Sequence, residues 1–245
     1  MHHNPDHNQK NMNEYKDLEK LIEIKFKNTD LLKLAFTHRS YLNEHRGENI
    51  KSNERIEFLG DAVLELIATE YLYEKYPKQT EGEMTNFRSA LVQGKQLAVI
   101  ARQLGLGKYL FLSNGEENSG GREKNYILAN TLESLIGAIY LDAGFQKAKK
   151  FVHDFVLSSL DEIIEKELHI DPKSKFQEII QEKMEVTPIY KTLSESGPDH
   201  NKRFEAGVFV NNELIAKGIG GSKQLAEENA AVQALIKKGW HKQIK

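Results

Sequence analysis

Asn53-Glu54-Arg55-Ile56-Glu57-Phe58-Leu59-Gly60-Asp61-Ala62-Val63-Leu64 decides how the first two-thirds of this sequence is read. At about 100° per residue, Glu54, Glu57 and Asp61 fall in one narrow sector of a helix, while Ile56, Leu59, Val63 and Ile67 point roughly the opposite way. Like charges at these spacings repel by roughly a few tenths of a kcal/mol per pair, so the face needs a neutralising partner. Arg55 lies on another side. A divalent cation held by hard oxygen ligands answers the need. Mg²⁺, with Mn²⁺ as a possible substitute, suits a face that carries neither Cys nor His. The alternative is a solvated acidic surface, the reading kept for Glu65 one turn on. Two details argue against it. Gly60 in mid-helix costs about 1 kcal/mol relative to Ala, which points to close approach by another backbone or a ligand. Phe58 falls near the acidic sector, and an aromatic ring stranded there is expected to find a partner through self-association.

A second segment complements the first: Ile127-Leu128-Ala129-Asn130-Thr131-Leu132-Glu133-Ser134-Leu135-Ile136-Gly137. Asn130 and Glu133 stand at i and i+3, so both can face one point with apolar neighbours behind them. An oxygen pair from one helix opposite carboxylates from another is a recurring way to build a divalent-metal site. Taken alone, Glu133 also reads as a surface residue.

Outward from these segments, apolar residues from Leu18 to Leu160 recur mostly at helical spacing, with no strand-like alternation, which predicts an all-helical N-terminal domain. Within it, SNGEENSGGREKN (residues 113–125) is too polar and glycine-rich for a helix and is expected to be a long loop. A charged helix, SSLDEIIEKEL, is expected to end near His169, and Asp171-Pro172 marks a boundary. The pattern then changes. Lys173 to Lys183 reads as a helix, Pro188 opens a strand through Leu193, and alternation follows in Phe204 to Val210 and Glu213 to Ile219 across the turn-prone Asn211-Asn212. Ser222 begins a last helix. The fold class is therefore multidomain, an all-α domain followed by a small α+β domain of order α-β-β-β-α. Residues 1–13 read as a disordered leader, 14–166 as the first domain, 167–172 as a linker, 173–240 as the second domain and 241–245 as a tail.

Composition bounds the chemistry. The chain has 245 residues, 39% hydrophobic and 29% charged, and no cysteine. Disulfides, thiolate zinc sites and cysteine nucleophiles are excluded. No apolar run approaches the roughly 20 residues of a membrane helix and no signal peptide is apparent, so a soluble cytoplasmic protein without membrane contact is expected. The formal charge of −2 is unpromising for a nucleic-acid binder. It conceals a split: from Asp171 onward 12 Lys+Arg face 10 Asp+Glu, whereas 22 face 26 before it. The acidic surplus sits in the domain expected to hold cations.

NERIEFLGDAVL closely resembles the signature of bacterial ribonuclease III, and ILANTLESLIGAIYLDAG is similar to that family's second acidic motif. THRSYL (Thr37 to Leu42) precedes both, and a helix-strand-helix module follows, so the resemblance runs from about Leu18 to Lys238. It implies a ribonuclease III fold and a C-terminal double-stranded-RNA-binding domain. It further implies a homodimer that cuts double-stranded RNA with Mg²⁺, leaving 5′-phosphate and 3′-hydroxyl ends with short 3′ overhangs. The expected substrates are ribosomal RNA precursors and structured messages. No organic cofactor and no protein nucleophile are implied, because water and divalent cations supply the chemistry. By position, Glu57, Asp61, Asn130 and Glu133 correspond to the metal site, with Asp61 and Glu133 as the catalytic pair. Glu54 and Glu81 match acidic cleft positions, and Phe58 matches an aromatic residue that similar proteins insert into the partner subunit. His38, within THRSYL, reads as structural.

One departure concerns Asn130, which stands where the best-studied relatives have Asp. An amide oxygen still ligates Mg²⁺, but it attracts the cation less and cannot act as a base. The enzyme is therefore expected to be active with a higher metal requirement, the alternative being a regulatory RNA-binding protein with a weakened nuclease site. In the second domain, Gln177 and Glu178 match positions that reach 2′-hydroxyls and base edges. His200, in the turn Gly197-Pro198-Asp199-His200, matches a minor-groove contact. Ser222 and Lys223 open the last helix, where phosphate can be met. Here too the chain departs from the family, with Gln224 in place of a second lysine. Arg122 and Lys124, before the second acidic helix, read either as RNA-backbone contacts or as solvated loop residues.

Overall fold

The computed structural model describes residues 15–165, 170–198 and 202–240. The expected leader (1–13), His200, the tail (241–245) and the stretch up to His169 lie outside them. The chain divides into two units, residues 1–165 and 166–245.

In the first unit residues 15–21 are helical. They precede α1 (Thr29–Ala35), α2 (Arg39–Leu42), α3 (Glu54–Lys75), α4 (Glu81–Val92), α5 (Gly94–Gln103), α6 (Asn114–Asn118), α7 (Asn125–Ala143), α8 (Phe145–Phe155) and α9 (Leu160–Glu165). The apolar spacing seen in the sequence becomes the core. Ile56, Val63, Leu64, Ile67 and Leu72 of α3 are buried against Leu128, Leu132, Leu135, Ile136 and Ile139 of α7. Burial of apolar surface at about 25 cal/mol per Å² is what holds these helices together. Among the described residues the unit contains a single isolated β-bridge, Thr37 to Phe111, in which Phe111 N–H donates to Phe36 O (2.9 Å) and His38 N–H to Phe111 O (3.1 Å).

The polar segment expected to be a long loop is instead partly helical. Ser113 accepts from Glu116 N–H and starts α6, and a 3-10 turn follows at Gly121–Glu123. Its compactness comes from side chains. Arg122 donates to the carbonyls of Gly107 (2.8 Å) and Leu110 (3.0 Å) and pairs with Glu117, while Lys124 pairs with Glu116 at 2.6 Å. These bonds use both basic residues within the fold, which corrects the expectation of a solvated loop and competes with any contact to RNA.

In the second unit Asp171 caps α10 (Pro172–Met184) by accepting from Ser174 N–H at 2.7 Å, with Pro172 at the first helical position. Strands β1 (Ile189–Ser196), β2 (Arg203–Val210) and β3 (Glu213–Gly220) form an antiparallel sheet in that order, and α11 (Lys223–Lys237) closes the unit. The first strand runs three residues past the Leu193 end read from the sequence. Asn211 and Asn212 both take positive φ (50° and 65°), as a tight two-residue hairpin turn requires. Alternation places Ala206, Val208 and Val210 inward, where Val208 and Val210 pack with Phe176, Ile180 and Leu235.

Candidate active site

Asn53 fixes the start of α3. Its buried amide donates to Ala35 O (3.2 Å) and its backbone N–H to Thr37 O (2.9 Å), tying the acidic helix to α1 and to the bridge segment. Glu54 and Glu57 lie in the first turn, where the helix dipole favours negative charge. The register of α3 against α7 is set by two glycines. A Cβ on Gly60 would sit 1.8 Å from the carbonyl oxygen of Glu133, and one on Gly137 would sit 2.3 Å from that of Ile56. The close approach expected at Gly60 is thus to another backbone, and that backbone belongs to Glu133.

The consequence is electrostatic. Burial first, then the charges of Asp61 and Glu57, push Glu133 up to about 8. Burial also raises Glu57, and the neighbouring Glu54 and Asp61 add to it, against the opposing pull of the Asn130 amide and of Arg39. Glu54, Glu57, Asp61, Asn130 and Glu133 therefore act on one another from two helices. Asp61 and Glu54 are exposed, while Glu57, Asn130 and Glu133 are half-buried. Glu54 accepts from Ser52 Oγ at 2.8 Å and faces Arg39 at 3.8 Å.

These donors are all hard oxygens and lack enough positive charge, a combination that fits a divalent cation. Among the described residues no three His, Cys, Asp or Glu side chains converge closely enough to hold a metal ion between them. The cluster is a set of oxygen groups carried on two packed helices.

Glu81 is not drawn into this cluster. Thr80 caps α4 through a reciprocal box with Glu83, which places Glu81 at the first helical position. There it accepts from Thr85 Oγ1 at 3.1 Å and borders a cavity of about 140 Å³ with Tyr73, Met84 and Arg88. Phe58 is 79% exposed, as its position on the helix predicts. A mostly apolar cavity of about 600 Å³ adjoins α3, walled by Leu34, Leu42, Ile50, Ile56, Leu59 and Leu141.

Two residues near the cluster were missed in the sequence. Arg39 is the cation facing it, a role for which Arg55 was considered and is misplaced. Tyr126 shares a small cavity with Glu57 and Asn130. Tyr126 is one helical turn before Asn130, so the i, i+4 spacing carried a usable signal. Arg39 comes from a separate helix, and its only signal was its place in the THRSYL segment.

In the second unit Gln177 and Glu178 are exposed on α10. Ser222 caps α11 by accepting from Leu225 N–H at 3.2 Å. Lys223 Nζ lies 3.2 Å from Glu195 Oε1 and stays largely exposed. Gln224 bonds Glu228 at 2.9 Å.

Comparison with known proteins adds the ancestry. The family described as Ribonuclease-III-like matches residues 28–160, and the double-stranded RNA binding motif matches residues 172–238. Ribonuclease 3 of Listeria monocytogenes is 45% identical over 226 residues, covering 92% of this chain and 98% of that protein. Ribonuclease 3 of Streptococcus gordonii is 46% identical over 212 residues, covering 86% and 91%. A solved nuclease domain of ribonuclease III from Campylobacter jejuni, described with a flexible region involved in dimer formation, is 44% identical. It covers 58% of this chain and 94% of its own, with a TM-score of 0.54. No helix among the described residues is long and apolar enough to cross a membrane. With both domains matched in order and nearly the full length of its relatives covered, the chain belongs to the ribonuclease III family, an endoribonuclease domain joined to a double-stranded-RNA-binding domain.

Proposed function

We propose that this endoribonuclease cuts double-stranded RNA as a Mg²⁺-dependent homodimer. Mn²⁺ serves as a substitute, and the products carry 5′-phosphate and 3′-hydroxyl ends with short 3′ overhangs. Ribosomal RNA precursors and structured messages are the expected substrates, in the cytoplasm where such RNA is made. The observation that carries this reading is the contact of α3 and α7 at Gly60 and Gly137, which gathers Glu57, Asp61, Asn130 and Glu133 into one cluster with little balancing positive charge.

Glu57, Asp61 and Glu133, with the Asn130 amide oxygen, would hold the cation, and Asp61 and Glu133 are the catalytic pair. When bound, a divalent cation supplies Lewis acidity to a phosphodiester and to water. Burial and the neighbouring carboxylates favour the protonated form of Glu133, so loading of a cation there would be expected to release a proton. Asn130 orients through its amide and neither gains nor loses a proton. Glu54, tied to Ser52 and Arg39, and Glu81, on α4, act as acidic groups at the edge of the cleft. Phe58 is the proposed dimer contact, and the apolar cavity beside α3 has the chemistry to receive the partner's aromatic ring. Gln177, Glu178, Ser222 and Lys223 are the proposed RNA contacts.

The test is cleavage of a labelled RNA duplex across a Mg²⁺ series, beside binding of the same duplex without divalent cation. Glu133→Gln should abolish cutting and leave binding nearly intact. Near-normal cutting by that variant would sink the metal-site assignment. Retention of the duplex without cutting at any Mg²⁺ concentration by the unaltered protein would favour a regulatory RNA binder weakened at Asn130.

A further inference from the structure

His38 stands outside the carboxylate cluster, and its backbone and one edge of its ring are both held. Its backbone N–H donates to Phe111 O, and its Nδ1 accepts from Ser40 N–H at 3.2 Å with Ser40 Oγ at 2.8 Å. Ser40 Oγ is itself held by Ser113 N–H at 3.1 Å. A backbone N–H can only donate, so Nδ1 is an acceptor and the ring proton resides on Nε2. Nε2 makes no hydrogen bond among the described residues and is not among the buried unpartnered atoms, so it is open to solvent.

The ring borders a cavity of about 160 Å³ whose other polar walls are Arg39, Asn53, Glu54, Glu57, Tyr126 and Asn130. Donors from the bridge segment thus sit across a small space from the oxygen groups of the carboxylate cluster. Burial lowers the His38 pKa and keeps the ring neutral, which makes it a directional donor. A sugar–phosphate unit matches such a wall, presenting an anionic oxygen to the donors and a 2′-hydroxyl to the acidic side.

We propose that His38 is an RNA-contacting residue whose Nε2–H donates to a non-bridging phosphate oxygen of the strand beside the carboxylate cluster. The bond with Ser40 sets the tautomer and the aim, so helix capping and substrate contact are two ends of one ring. This rests on the reading that Glu57 and Asn130 belong to the nuclease centre.

His38→Asn separates the two ends. Asn caps helices well, and its Oδ1 can accept from Ser40 N–H where Nδ1 did, but it presents no donor at the Nε2 position. The expected result is an unchanged melting midpoint and near-normal duplex binding without divalent cation. The cleavage kcat/KM should fall about ten-fold or more, as for a lost hydrogen bond to a charged group. Phosphorothioates at the phosphates flanking the cut give a second readout: one should slow the unaltered protein and leave His38→Asn unaffected. Wild-type cleavage by His38→Asn would overturn the contact. Should that variant melt early, the sulfur series on the unaltered protein decides, and insensitivity at every flanking phosphate overturns the contact. Glu133→Gln run alongside distinguishes the failures: if it cuts, the nuclease centre is misassigned, and if it is dead while His38→Asn is fully active, only this inference falls.

Discussion

Gly60 of α3 and Gly137 of α7 lie against each other, so that a methyl group on either would strike the opposite helix's backbone at 1.8 or 2.3 Å. The contact holds the Glu133 carbonyl against Gly60, and with it the two carboxylates that flank Gly60 on α3. Helix spacing and active-site spacing are therefore one quantity.

Gly60→Ala and Gly137→Ala should each destabilise the protein by about 1–3 kcal/mol or more, the range for overpacking a closed contact, and should lower cleavage. Gly82→Ala is the control. It lies in α4 with nothing within 4 Å of the added methyl, and should stabilise by up to about 1 kcal/mol. Thermal unfolding of the three variants checks this, and an unaltered midpoint for Gly60→Ala would contradict the packing.

Glu133 also predicts a pH dependence. Its folded pKa of about 8 is above the unfolded value near 4.5, so the folded state binds more protons between those limits. Its contribution to stability is fully present below about pH 4.5 and is lost as pH rises toward 8. In chelator, melting midpoints should therefore fall over that window and fall less in Glu133→Gln. Added Mg²⁺ should raise the midpoint more at pH 8 than at pH 6, because fewer protons must be displaced. Parallel curves for the two proteins would refute the assignment.

Asn130 lies beside Glu57, and its amide opposes the rise that burial imposes on the Glu57 pKa. Asn130→Asp adds a carboxylate ligand, and the Mg²⁺ concentration for half-maximal cleavage should fall. An unchanged or higher requirement would remove Asn130 from the ligand set.

Phe58 buries little within its own chain, so Phe58→Ala should leave the melting of dilute protein almost unaltered. If the ring anchors a dimer, its loss should cost about 2 kcal/mol or more of association, roughly a thirty-fold weaker dimer. Sedimentation across a concentration series checks this, and identical profiles would rule the anchor out.

Lys223 faces Glu195 in the RNA-binding unit, so RNA has to compete for it. Lys223→Ala should weaken binding and reduce the salt slope of log affinity by about 1. Glu195→Gln should free the lysine and tighten binding, by no more than about five-fold because an exposed pair is worth about 0–1 kcal/mol. Equal salt slopes for Lys223→Ala and the unaltered protein would exclude the contact.

The helices of the first unit and the α-β-β-β-α order of the second were legible because the spacing of apolar residues records local geometry directly. Ile56, Val63 and Ile67 could face inward only if Glu57 and Asp61 faced elsewhere, and the Asn211-Asn212 pair announced its hairpin through tolerance of positive φ. The polar stretch before α7 misled for a matching reason. Its order comes from Arg122 and Lys124 reaching carbonyls and carboxylates, and long-range satisfaction of polar groups leaves no period in a sequence.

The sequence by itself determined which side chains share a helix face, and hence that Glu54, Glu57 and Asp61 form one acidic stripe and Asn130 and Glu133 one pair. Only the tertiary structure decided that the stripe and the pair meet, because Gly60 and Gly137 let two backbones touch. Burial at that junction gives Glu133 its raised pKa, and packing brings the His38 ring, whose tautomer its near neighbour Ser40 fixes, to a cavity shared with Glu57 and Asn130. Desolvation and the meeting of separate helices depend on what surrounds a group in space, and its neighbours in the chain do not specify that.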